Sequence, residues 1–145
     1  MRTLYVTTDI ARVVQEPFEQ TERGDRLAEF RQFLDAFSEG AVFSVSESPH
    51  EKPRDTMLAR VDPPEAQFWS LRVLYPEGTD GIRCLGAFES FDQFIALTWS
   101  FREDVLSFDD EVSAVREEWR KHFGAQLPHS GDNLDAYLSE YYVPR

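Results

Sequence analysis

Between residues 67 and 123, three runs rich in β-branched and aromatic side chains are joined by short turn-like segments and followed by a strongly amphipathic helix. That order reads as an antiparallel meander closed by a helix, and it constrains the fold more than any other feature of the chain. In the first run, residues 68–75, Trp69, Leu71, Val73 and Tyr75 share one face at period two. Pro76-Glu77-Gly78-Thr79-Asp80-Gly81 is a turn cluster. Ile82, Cys84, Gly86 and Phe88 then alternate with Arg83, Leu85 and Ala87. A reversal at Ser90-Phe91-Asp92 leads into residues 94–101, which are apolar on both faces and so predict a central strand. Ile95, Leu97, Trp99 and Phe101 make its heavier face. Ser107, with Asp110 three residues on, resembles a capping box, and Phe108, Val112, Val115, Trp119 and Phe123 form an apolar helical stripe that stops at Gly124.

Upstream, residues 3–8 have strand chemistry and the segment from there to Pro17 has no clear period. Leu27, Phe30, Leu34 and Phe37 recur at steps of three and four and predict an amphipathic helix over residues 22–38, closed at Gly40. Residues 42–45 form a short strand candidate and residues 48–53 an exposed loop. Residues 57–61 read as a strand or a helical turn ended by Pro63-Pro64. A last short helix is expected over residues 133–141, capped by Asp132. The fold class these elements predict is α+β: one domain over residues 1–145, in which an antiparallel sheet with a three-strand meander is flanked by two or three helices.

Charge bounds the function. Fifteen Lys and Arg against 27 Asp and Glu give a net charge of −12. Binding a phosphate backbone needs clustered cations, so the chain is a poor generic nucleic-acid binder unless a local basic patch exists. The same charge suits a partner with a basic surface, or serves solubility alone. No apolar run approaches the roughly 20 residues of a membrane span, and no signal-like block opens the chain, so a cytoplasmic protein with no membrane association is expected. The single cysteine, Cys84, excludes an internal disulfide and any multi-cysteine zinc site.

Arg72, Arg83 and Arg102 interrupt apolar strand chemistry. In the proposed meander two of them can point to the same sheet face while the third stands where the last strand ends. Such a group could hold a phosphate or carboxylate, since guanidinium offers fixed paired donors and stays charged. The ordinary alternative is that each pairs with one of the many carboxylates, and a one-residue slip in register would invert a face. His129, in Leu127-Pro128-His129-Ser130-Gly131-Asp132, is a binding candidate, and a pairing with Asp132 or Asp135 would be required for general-base chemistry. His122, His129 and Asp132 match no zinc spacing, so neither a metal nor another cofactor is expected. Trp69, Trp99 and Trp119 fall at core-facing positions.

The order strand, helix region, three-strand meander, helix resembles the RelE/ParE/HigB-like toxin superfamily. The residues behind the likeness are Phe68-Trp69-Ser70-Leu71-Arg72, Gly81-Ile82-Arg83-Cys84-Leu85 and residues 94–102, about 35 residues in all. The resemblance implies a toxin–antitoxin-type protein with a degenerate or specialised RNA-directed anion-binding face, at which the chain's departures from the family pattern leave RNA cleavage possible but not expected. It gives Arg83 and Arg102 the catalytic roles of holding RNA phosphate and stabilising the cleavage transition state, with Arg72 as a binding residue. It also implies an antitoxin-like protein partner. The chain departs from that pattern at Glu103-Asp104, where the family continues with basic residues, and has no lysine between Lys52 and Lys121. The competing expectation is a noncatalytic acidic protein that binds a basic protein surface through Asp109, Asp110 and Glu111.

Overall fold

A computed structural model describes residues 1–50, 52–75 and 81–144. Three helices pack on a seven-stranded mixed sheet curled into a half-barrel. In chain order the elements are β1 (Thr3–Val6), α1 (Thr8–Val13), α2 (Glu22–Ser38), β2 (Phe43–Ser46), β3 (Leu58–Arg60), β4 (Trp69–Val73), β5 (Ile82–Ser90), β6 (Gln93–Phe101), α3 (Phe108–Phe123) and β7 (Tyr141–Tyr142). The strand order is β1-β6-β5-β4-β3-β2-β7.

This corrects the antiparallel sheet expected from sequence. β4, β5 and β6 do form an antiparallel meander, and β3 joins it antiparallel to β4. The remaining pairs, β1 with β6, β2 with β3 and β2 with β7, are parallel. Parallel neighbours need long crossovers, and β1, β2, β3 and β7 are only two to four residues long, so no hairpin or alternation announces their partners. The expected turn at residues 76–81 lies, apart from Gly81, outside the described residues.

Local chemistry explains the helices. Thr21 caps α2 by accepting from the Gly24 amide at 2.9 Å, and Phe30, Leu34 and Phe37 bury its inner face. Gly40, at φ 91°, supplies the left-handed residue that ends it. Ser107 caps α3, whose Val112, Val115 and Trp119 are buried. α1 falls where the sequence has no clear period, started by Thr7 accepting from the Ile10 amide. The expected last helix is instead a 3₁₀ turn at Leu134–Ala136 capped by Asn133, after which the chain extends into β7.

The sheet has two apolar layers. On the concave side Trp69, Leu71, Ile82, Cys84, Phe88 and Phe94 meet α1, α2 and Tyr137. On the other side Leu85, Ala87, Ile95 and Leu97 meet α3. A β-bulge divides β6: Leu85 pairs with Thr98 but Gly86 with Ala96, leaving Leu97 as an extra residue. Ile95 and Leu97 therefore face α3 while Trp99 and Phe101 join the concave layer, so the single heavy face expected for this strand is split. Trp69 and Trp119 are buried, and Trp99 is half-buried, with its indole N–H donating to Asp9 at 3.2 Å.

Two clamps fix the ends. Arg2, nearly buried, donates to the carbonyls of Phe37, Ala41 and Glu140, so one guanidinium ties the start of β1 to the end of α2 and the approach to β7. Its ring contacts with Phe37 and Phe43 complete the seat. On the opposite side Arg23 binds Asp104 through paired bonds of 2.9 and 2.7 Å, and Arg26 binds Glu103 in the same forked manner. The Arg26 hydrogen bonds hold the Glu103 carboxyl down at about 2. A carboxyl lowered on folding contributes stability above its unfolded value near 4.5 and loses that contribution as pH falls toward 2. Glu103→Gln is accordingly expected to flatten the decline of the urea midpoint between about pH 4.5 and pH 2, and an unchanged decline would show the pair to be inert.

Among the described residues, no helix is long and apolar enough to cross a membrane, and no group of three His, Cys, Asp or Glu residues is placed to hold a metal ion.

Candidate functional site

α3 covers only part of its face of the sheet. Beyond Leu85 and Leu97 this face turns polar: Ser70 and Arg72 from β4, Arg83 from β5 and Ser100 from β6. Alternation puts them there, because each follows or precedes a residue of the concave core. A cavity of about 350 Å³ opens over this region. β3, β4 and β5 supply its floor, the loop of Pro49, His50 and Lys52 one wall, and Arg102, Phe108 and Asp109 the other.

Arg72, Arg83 and Arg102 all line this cavity, together with Lys52 and Arg60. Among the described lining residues the carboxylates are Asp62 and Asp109. Arg72 and Arg83 are direct cross-strand partners. Like charges directly opposite on a sheet are destabilising, so the pairing calls for a counter-charge or a function. Glu111 on the first turn of α3 meets part of that need: its carboxylate accepts from Arg83 at 2.6 Å and from Ser100 at 2.5 Å, with both ion-pair side chains only 15% exposed. Phe108 packs on the same guanidinium, 4.5 Å from ring centroid to Cζ. Arg72 donates to the carbonyls of Thr56 at 3.0 Å and Pro53 at 3.4 Å, which holds the 53–56 segment beside the cavity.

Among the described lining residues cations outnumber carboxylates, in a chain that is acidic as a whole. Burial pushes the Lys52 ammonium below its ordinary value, and the charges of Arg72, Arg83 and Arg102 push it the same way. A second anion-seeking feature lies in the floor. The Ser70 hydroxyl is buried with no hydrogen-bond partner, in a residue that lines the cavity. Arg60 borders the cavity too, but it pairs with Trp69 across the strands and sends its guanidinium to the other face, over the Trp69 ring at 4.6 Å and donating to the Tyr137 hydroxyl at 3.2 Å.

Glu103 and Asp104, which interrupt the basic pattern after Arg102, are absent from the lining because Arg23 and Arg26 draw them toward α2. His129 also stands apart. Its Nε2–H donates to the Ala136 carbonyl at 2.8 Å and its ring packs against Tyr137, while neither Asp132 nor Asp135 bonds to it. At the rim, His50 lies 3.5 Å from the Asp62 carboxylate, both largely exposed.

Sequence reasoning did not find Lys52, Arg60 or Ser70. Ser70 was accessible to it, since a residue two positions from Arg72 shares its face in any strand register. Lys52 and Arg60 lie in segments without a clear period, where no pattern assigns a direction. Comparison with protein-family models, with curated proteins and with solved structures found no match for this chain.

Proposed function

We propose that this protein is an RNA-directed, anion-binding protein of the RelE/ParE/HigB-like toxin type, holding phosphate in the cavity between β3–β5 and the start of α3. The observation that carries the reading is the meeting of Arg72, Arg83 and Arg102 with Lys52 in one concavity of a chain whose net charge is −12. Two of these arginines are set directly opposite each other in neighbouring strands, an arrangement that costs free energy and so calls for a negative charge between them. The run of β4, β5, β6 and α3, preceded by β1 and two helices, adds support within the larger mixed sheet.

In this reading Arg83 and Arg102 contact the phosphate whose charge grows during cleavage, and Arg72 with Lys52 positions it. A guanidinium aimed at a developing phosphorane stabilises it more than the ground state, which is the requirement for catalysis rather than binding alone. The competing reading, recognition of a basic protein through Asp109, Asp110 and Glu111, has less support because Glu111 is turned inward onto Arg83.

Induced expression in a bacterial host tests the proposal. Wild-type protein is expected to arrest growth, and Arg83→Ala or Arg102→Ala to abolish the arrest at equal protein levels. Unimpaired growth with the wild-type protein, or arrest that survives both substitutions, would reject the toxin assignment.

A further inference from the structure

The donors around the cavity come from three directions. Ser70 rises from the floor, Lys52 stands on the loop wall, and Arg83 and Arg102 lie toward the far wall, with Arg72 beside Arg83 across the strand pair. The Ser70 hydroxyl is a buried polar atom without a partner, a state that costs free energy until one arrives. Ala59, Val61 and Phe108 flank these groups with apolar surface, which lowers the local dielectric and strengthens each charged contact.

Ligand stereochemistry then discriminates. An internal phosphodiester offers two non-bridging oxygens and one negative charge. A terminal phosphate offers three strong acceptor oxygens and close to two charges at pH 7. Donors converging from floor, loop and far wall match the second arrangement. We propose that the cavity is an end-binding site for the phosphomonoester terminus of an RNA strand, resting on the RNA-directed reading above and refining it to a class of ligand. Arg72 and Arg83 bridge the phosphate from adjacent strands, Lys52 covers it from the loop, and Ser70 receives its deepest oxygen. The lowered affinity of Lys52 for its proton accords with this, since an arriving dianion would relieve the repulsion from the three arginines.

Calorimetric titration of the whole protein with two short RNAs of one sequence, one bearing a 5′-phosphate and the other a 5′-hydroxyl, tests the proposal. A 3′-phosphorylated version of the second strand covers the opposite end. At least one end-phosphorylated RNA is expected to bind about tenfold or more tightly than the unphosphorylated strand. Lys52→Gln and Ser70→Ala should each shrink that preference without altering the far-ultraviolet circular dichroism. Two variants are used because Ser70 is buried and its replacement alone could act through packing. Equal affinity for all three RNAs, or a preference that survives both substitutions, overturns the end-binding proposal and leaves the RNA-directed reading standing. Failure of every RNA to bind overturns both.

Discussion

Replacing Trp69 with alanine is expected to lower the unfolding free energy by about 3–5 kcal/mol, a large share of the roughly 5–15 kcal/mol typical of a folded domain. Trp69 is fully buried at the centre of the concave layer, edge-on to Phe88 at 5.7 Å and to Tyr137 at 5.2 Å. Its truncation leaves a cavity that these two rings and the sheet cannot close without moving. It also removes the ring on which Arg60 rests. Trp69→Phe keeps a ring in the layer. The indole N–H has no hydrogen-bond partner in the folded chain, so phenylalanine loses volume but no bond, and a cost below about 1.5 kcal/mol is expected. Urea unfolding of the three proteins checks both figures. An alanine variant within 1 kcal/mol of the parent would mean that the layer is not packed as described.

The second large effect concerns Glu111. This carboxylate neutralises an arginine whose cross-strand neighbour is another arginine, in a pair that is mostly shielded from water. Removing one member of a buried pair costs about 3 kcal/mol or more, because the remaining charge keeps its desolvation penalty. Glu111→Gln preserves the size of the side chain and a polar contact for Ser100 while deleting the charge. The expected result is therefore a protein destabilised by about 3 kcal/mol that binds phosphate more tightly than its parent, since Arg83 is released toward the cavity. Loss of stability without a gain in affinity would indicate that Arg83 serves only to anchor α3. The opposite coupling, in which anion binding and folding both weaken, would show that Glu111 shapes the cavity rather than competing for it.

Much of this architecture could be read from the chain because the relevant signals are local. The β4–β5–β6 meander is carried by alternation, α2 and α3 by their apolar stripes and their Thr21 and Ser107 caps. The faces of Arg72 and Arg83 follow from their flanking core residues. What could not be read is non-local. Parallel pairing of β1 with β6 joins residues about ninety apart in sequence, and no short strand carries a label for so distant a partner. The bulge at Leu97 is hidden by a strand that is apolar on both faces, where alternation gives no register. The roles of Glu103 and Asp104 were equally out of reach. Beside Arg102 they look like a defect in a basic site, yet forked bonds to Arg23 and Arg26 turn them into a clasp between α2 and the end of β6. Lys52 reaches the cavity from an irregular segment, whose direction only the assembled sheet decides.

The central claim is that four cations from separate segments, Lys52, Arg72, Arg83 and Arg102, act as one anion site. The most direct measurement is the melting temperature of the whole protein in inorganic pyrophosphate and in sodium chloride of matched ionic strength, repeated with Arg102→Ala. A ligand that binds only the folded chain raises the melting temperature as its concentration passes the dissociation constant. The account predicts a rise in pyrophosphate that is absent in chloride and strongly reduced in the variant. Identical melting curves in the two salts, or an equal rise with and without Arg102, would contradict it.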